Sequence, residues 1–206
     1  MVRAILEGRK TQTRRAVKLP ADATEFFDPL RVEYGDGHSG PGAYLSCGEY
    51  PDEGSLHVCC PYGQPGDRLW VKETFIHSPA TYVWEASTSV PAVPAETIFR
   101  ADADPNGEEA GAGWRPSIFM PRHLSRLTLE VTGVRVEALG QMSYHDALAE
   151  GIYQDSAGFH WKEPAPTLGW ADPRHAYADL WENINGKGTV DANPWVWVVE
   201  FRRLAP

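Results

Sequence analysis

The sequence predicts an α+β protein, on three observations. Strand-like segments with alternating apolar residues recur along the chain, and short helix-like segments lie among them. The regular strand–helix–strand alternation of a parallel sheet is missing. At 206 residues the chain can bury a real core, and 42% hydrophobic with 23% charged residues is ordinary for a globular protein. No internal repeat is visible. Residues 1–206 are read as a single domain carrying insertions at about 19–64 and 77–113.

The first element is a short helix over 2–9, with Val2, Ile5 and Leu6 at helical spacing and Gly8 near its end. From 19 to 66 prolines and glycines outnumber any periodic pattern, and this stretch reads as irregular. The turn Gln64-Pro65-Gly66-Asp67 then feeds a strand at 68–74, and a second strand covers 97–101. Between them 78–95 reads as loop, and 102–113 is acidic, turn-rich and expected to be mobile. The clearest strand is 127–136: Leu127, Leu129 and Val131 alternate, and the pattern then slips one residue to Val134 and Val136. Such a slip at Thr132-Gly133 is what a β-bulge or a barrel corner produces. Ser143-Tyr144-His145-Asp146 is a capped helix start, with the helix running to Glu150 and stopping at Gly151. A further helix at 172–183 turns Ala176, Leu180 and Trp181 to the core. The closing strand at 195–203 places Trp195, Trp197, Val199 and Phe201 on one face.

Charge is distributed unevenly. The net charge is -9, yet the first 18 residues hold Arg3, Arg9, Lys10, Arg14, Arg15 and Lys18 against Glu7 alone, a local +5. The acidic balance argues against a coat for extended DNA, where phosphate neutralisation calls for a basic domain. It favours a pocket for one nucleoside or another anionic or polar group. No apolar run approaches the roughly 20 residues a membrane span needs, and no apolar leader with a small-residue cleavage site follows Met1. No membrane association and a cytoplasmic setting are therefore expected. Three cysteines, two of them adjacent at Cys59-Cys60, do not suit a secreted disulfide framework.

Lys10 and Thr13 are three residues apart, so a helical or turn-like backbone projects them from one side. A lysine beside a hydroxyl can activate it, provided neighbouring cations (Arg9, Arg14, Arg15) or burial supply some neutral amine. The same residues also fit a solvated basic helix end. Glu150, at a helix end, faces an unfavourable dipole and is suited to donate a proton; it equally fits an exposed glutamate without a role. Cys47, His57, Cys59 and Cys60 could ligate zinc, although adjacent cysteines seldom reach one ion and no metal is expected. Among eight tryptophans, Trp114 fits either a base-stacking platform or a loop-anchoring plug, Trp161 and Trp170 fit plugs, and Trp195 and Trp197 fit the core. No phosphate-cradling GxxxxGK[ST], GxSxG elbow or HExxH motif is present.

Four pieces taken in order resemble the ASCH-domain family of the PUA-like superfold. They are Ile5-Leu6-Glu7-Gly8-Arg9-Lys10-Thr11-Gln12-Thr13-Arg14-Arg15, with the family's Gly-x-Lys-Thr-x-x-x-Arg signature, and Pro65-Gly66-Asp67-Arg68-Leu69-Trp70-Val71. The third is the strand ending near Val136 with the helix to Glu150, and the last is Trp195-Val196-Trp197-Val198-Val199-Glu200-Phe201. Together they account for about half the chain, and Trp114-Arg115-Pro116-Ser117 with Met120-Pro121-Arg122 is similar to longer members often found in phages and prophages. The resemblance implies a small β-barrel with flanking helices. One compact branch is similar to amidohydrolases that remove the acetyl group from N(4)-acetylcytidine without a cofactor. It implies Lys10 as proton acceptor, Thr13 as nucleophile and Glu150 as proton donor. Arg14, Arg15 or backbone N–H groups would hold the oxyanion, Arg9 completes the basic cleft, and Trp70 or Trp114 would stack on the base. Other branches bind or cleave RNA, so a modified nucleoside or RNA is the expected partner.

Overall fold

The computed structural model describes residues 1–18, 31–34, 41–45, 56–78, 81–85, 88–93, 96–103, 113–161 and 169–205. In chain order the elements are α1 (Val2–Leu6), β1 (Gln12–Ala16), β2 (Arg31–Tyr34), β3 (Pro41–Leu45), β4 (Leu56–Cys59) and β5 (Arg68–Trp70). Then come β6 (Phe75–Ser78), β7 (Thr81–Glu85), β8 (Thr88–Val93), β9 (Glu96–Phe99) and β10 (Thr128–Ala138). The chain closes with α2 (Tyr144–Ala149), β11 (Tyr153–Gln154), β12 (His160–Trp161), α3 (Pro173–Asn185) and β13 (Trp195–Arg203). The protein is mixed α+β. It forms two compact units, one built mainly from 3–69 and 129–204, the other from 70–128.

The first unit is organised by a curled antiparallel sheet of order β1-β13-β10-β5. Its central strand β13 is buried on both faces. Trp197 and Val199 pack with Val131 and Val134, while Val196 and Val198 pack with Leu139, Met142, Ala147, Ile152, Ala176, Tyr177 and Trp181. A strand covered on both sides reads as a continuous apolar run, which is why Trp195-Val196-Trp197-Val198-Val199 shows little alternation. Each fully buried valine contributes about 1.5–3 kcal/mol.

β10 carries the irregularity its sequence announces. Val131 pairs with Phe201, but Gly133 pairs with Glu200, so Thr132 is the extra residue. The bulge returns Val134 to the face of Val131, and both reach the same core cluster.

Both long-range helices start on local chemistry. The Ser143 hydroxyl accepts from Asp146 N while the Asp146 carboxylate accepts from Ser143 N, a capping box for α2. The Asp172 side chain accepts from Arg174 N, and Pro173 opens α3 where a missing N–H costs nothing. The Arg174 hydrogen bonds hold the Asp172 carboxyl down at about 2.

Several expectations need correction. The first helix ends at Leu6 rather than 9, because Glu7 caps it and Gly8 turns away at φ 74°. The stretch 19–66 is not wholly irregular: β2, β3 and β4 form an antiparallel sheet within it. Likewise 78–95 contains the antiparallel pair β7–β8, where Tyr82 opposes Pro91 beside a register shift. Proline is tolerated at such an irregular edge, so it misdirects a composition-based reading. The strand expected at 68–74 stops at Trp70, and the one expected at 97–101 is β9. Of 102–113, residues 104–112 lie outside the described residues.

The second unit pairs β6 with β9 in antiparallel register and buries Phe75 almost completely. Its polar centre is Glu73, whose two oxygens accept from Arg126 Nε at 3.0 Å and Nη2 at 2.8 Å. Arg126 also pairs with Asp102 and lies 4.1 Å above the Phe99 ring. These partners raise the arginine far above its ordinary value, hydrogen bonding from Glu73 foremost.

Candidate functional site

Lys10 leaves α1 in a short link held from three sides. Its N–H donates to Ala4 O at 2.9 Å, Thr11 N donates to Ala149 O at 2.8 Å, and Phe201 N donates to Thr11 O at 2.8 Å. The link is thereby fastened to the end of α2 and to β13, and Lys10 bridges Glu150. Gly151 makes the approach possible. It sits at φ 90°, and a Cβ there would come within 2.9 Å of Ala4 Cβ and 3.0 Å of Lys10 Cβ. Only glycine fits such a position without strain.

Across this contact Lys10 Nζ donates to Glu150 Oε2 at 2.5 Å and to Glu150 O at 2.8 Å. The side chains are 4% and 3% exposed. Burial lowers the Lys10 pKa below its ordinary value, outweighing the attraction of Glu150; Arg15 and Arg14 add to the lowering.

Arg14 is fully enclosed. Its guanidinium donates to Glu137 Oε1 at 2.6 Å, Gln12 Oε1 at 3.1 Å and Glu150 Oε1 at 3.4 Å, and lies 3.5 Å from Asp146 Oδ1. Arg135 closes the network by pairing with Glu137, Asp146 and Glu200. Burial raises the Asp146 carboxyl, but hydrogen bonds from Ser143 and Gln12 and the charge of Arg14 carry it well below the usual carboxylate range. Tyr177 donates to Glu150 Oε1 at 3.4 Å; burial and the nearby Glu150 charge push its phenol far up, so it stays a donor.

A cavity of about 320 Å³ opens beside this network within the first unit. Lys10, Thr13, Arg14, Arg15 and Glu150 line one side of it, and Tyr177, Leu180, Trp181 and Ile184 of α3 line another. The three side chains expected to cooperate thus share one hollow. Their backbone differs from expectation. Thr13 lies in the edge strand β1, not on a helical turn, because 12–16 pairs with β13. The Thr13 hydroxyl accepts from Arg15 Nη1 at 3.0 Å, which leaves its own proton available.

The remaining expected residues are placed variously. Arg15 also donates to Arg14 O at 2.9 Å and reaches the cavity. Arg9 pairs with Glu7, donates to Gly151 O at 3.0 Å and covers the Tyr153 ring, so it braces the glycine rather than lining the cavity. Trp70 and Trp114 fall in the second unit, under Lys72 and Arg100 respectively, and neither lines this cavity. Cys47 lies outside the described residues, as do the side chains of His57 and Cys59. The half-buried Cys60 thiol is pushed up by desolvation. Among the described residues no group of three His, Cys, Asp or Glu side chains is arranged to hold a metal ion. None of the helices is long and apolar enough to cross a membrane, among the same residues.

Sequence reasoning missed Tyr177 as part of the wall. The signal was present: Tyr177, Leu180, Trp181 and Ile184 share one face of α3 at i, i+3, i+4 and i+7. Two of the four have polar tips that must find partners.

No protein-family model, curated protein or solved structure matches this chain. Its chemistry therefore rests on the arrangement itself: a buried amine with a lowered proton affinity, a carboxyl group in contact with it, and an alcohol beside a guanidinium, all facing one enclosed space.

Proposed function

We propose that the cavity is the active site of an amide hydrolase that deacylates an N-acylated cytidine or a related modified nucleobase, on a PUA-like barrel of the ASCH type. The observation that carries this reading is the 2.5 Å contact between Lys10 and Glu150 on the wall of a cavity that Thr13 also lines. One proton serves both groups. When it rests on Glu150 the pair is a neutral amine and a carboxylic acid, the form that catalysis needs.

From that form the steps balance. Thr13 Oγ1 attacks the acyl carbon as its proton passes to Lys10, and the Arg15 guanidinium steadies the developing oxyanion. Glu150 then protonates the departing ring amine as the C–N bond breaks, leaving an ester on Thr13. Water attacks the ester and yields its proton to the Glu150 carboxylate. Lys10 returns its proton to Thr13 Oγ1 as the C–O bond breaks, and the starting state is restored.

A second reading is a binding module for a modified nucleoside or RNA. It is favoured by the carboxylates that already occupy Lys10 and Arg14. Incubation with N(4)-acetylcytidine, followed by chromatography for cytidine and acetate, separates the two. Turnover abolished in Lys10→Ala and in Thr13→Ala supports the hydrolase. Binding without turnover in the wild type supports the module, and shortened oligonucleotides on incubation with RNA would instead mark a ribonuclease.

A further inference from the structure

We infer that Arg15 sets the specificity of the cavity: its guanidinium takes a carboxylate at the far end of the substrate's acyl group, so a short dicarboxylic acyl chain such as succinyl is favoured over acetyl. This rests on the cavity being the hydrolase site and goes further by naming the acyl group it takes. Three cationic side chains line the cavity, and two are matched, Lys10 by Glu150 at 2.5 Å and Arg14 by Glu137 at 2.6 Å. Arg15 differs. Among the described residues its hydrogen bonds both come from Nη1 and end on uncharged oxygens, Thr13 Oγ1 at 3.0 Å and Arg14 O at 2.9 Å. No carboxylate among those residues pairs with it, and its Nε and Nη2 donate to none of them.

Anchoring through Nη1 holds the guanidinium in place without filling it. The N–H groups of Nε and Nη2 stand side by side in its plane, an edge that matches the two oxygens of a carboxylate. Thr13 and Arg15 are two residues apart on β1 and share one face of the strand. The anion is therefore held next to the nucleophile, on the acyl side of the bond to be cleaved. A ribose 5′-phosphate lies at the other end of the nucleoside, beyond the pyrimidine ring, away from a group in contact with Thr13. Arg15 is exposed whereas Lys10 is buried, so the carboxylate sits at the cavity rim, stays partly hydrated and avoids the cost of burying an ion. A cavity of about 320 Å³ leaves room for one nucleobase and a short chain rather than a polymer. The reaction is the hydrolysis already given: the C–N bond breaks, water supplies the new oxygen on the acyl carbon, and cytidine and succinate leave.

The test measures kcat/KM for N(4)-succinylcytidine, N(4)-acetylcytidine and the uncharged N(4)-succinamoylcytidine, which matches the first in size. The wild type should favour the succinyl substrate over the other two by about tenfold, the lower range for a hydrogen bond to a charged group. Arg15 also steadies the oxyanion, so Arg15→Gln should slow all three, and the readout is the ratio, which should fall close to one. Salt gives a second readout on the unsubstituted protein, where the preference should shrink as sodium chloride is raised to about 0.5 M. Binding without turnover is read by calorimetry with N(4)-(3-carboxypropyl)cytidine and N(4)-butylcytidine, neither of which has an acyl carbonyl; the first should bind about tenfold tighter. Similar kcat/KM for all three substrates, or a preference that Arg15→Gln leaves intact, overturns the inference while the hydrolase stands. An Arg15-dependent preference for N(4)-acetylcytidine 5′-monophosphate overturns it too, by moving the anion to the ribose side. Tighter binding of the carboxypropyl compound, lost in Arg15→Gln, without hydrolysis of any substrate keeps the carboxylate site and overturns the hydrolase. Absence of both binding and turnover overturns both.

Discussion

Glu150 in the first unit and Glu73 in the second are each buried against a cation, and the two sites differ in ways that separate chemistry from architecture. Glu73 is gripped by both arms of an arginine that also holds Asp102 and rests on Phe99. An arginine never gives up its proton, so that clamp has a single charge state. Glu150 instead meets a lysine whose pKa is lowered by burial, at the wall of a cavity. A lysine can shed its proton there, which the arginine of the other site cannot do. Burial of ions is common to both sites; only one of them can move a proton.

The largest expected effect breaks the comparison outright. Lys10→Ala should lower turnover of N(4)-acetylcytidine by about 10²–10⁴-fold, the span ascribed to a positioned base, while Arg126→Ala should leave it unchanged in steady-state assays at 20 °C. Equal losses in the two variants would mean that the sites play the same part.

Stability should respond in the other unit. Arg126→Ala strands a nearly sealed Glu73, and a buried pair broken on one side costs about 3–5 kcal/mol. Because Arg126 is 29% exposed, a loss near the lower end, about 3 kcal/mol, is expected in urea unfolding.

The pH response sharpens the contrast further. Lys10 in the folded protein lies below its ordinary value of 10.5, so between its folded pKa and 10.5 the unfolded chain binds more protons. Stability attributable to this residue therefore rises with pH across that window, whereas turnover should fall there, because the pair then loses the one proton that Glu150 must give the leaving amine. Arg15→Gln removes one of the charges that lower Lys10 and should carry the alkaline limb of the pH–rate profile upward. The Arg126 clamp contributes no such limb.

The smallest effect concerns delivery of Glu150. Ser143→Ala removes the cap of α2, and thermal unfolding should register a loss of about 1 kcal/mol. Turnover should fall by less than in Lys10→Ala, since Glu150 is still fastened to Lys10 from its own side.

What could be read in advance was whatever chemistry is local. The slip from Val131 to Val134 announced the bulge, and Ser143 with Asp146 and Gly151 marked both ends of α2, because each device is written within a few neighbouring residues. The same holds for Asp172 and Pro173 at the start of α3. Lys10, Thr13 and Glu150 could be brought to one place only through the family resemblance; nothing in their own spacing spans the 140 residues between Lys10 and Glu150. The extended backbone of Thr13 was hidden for a related reason, since pairing with β13 overrides local spacing. Glu73, Asp102 and Arg126 gave no sign at all, being scattered charges of ordinary type. In β7 and β8, prolines concealed a pair that its β-branched and aromatic residues would otherwise have revealed.

The missing side chain at Gly151 has a consequence for timing. Because the first residues and the distant helix end can touch only where no methyl group intervenes, the desolvation that disarms the Lys10 ammonium exists solely in the finished molecule. A growing or partly opened chain carries an ordinary, fully protonated lysine. The lowered proton affinity of Lys10 is thus acquired only once its segment and the end of α2 have met.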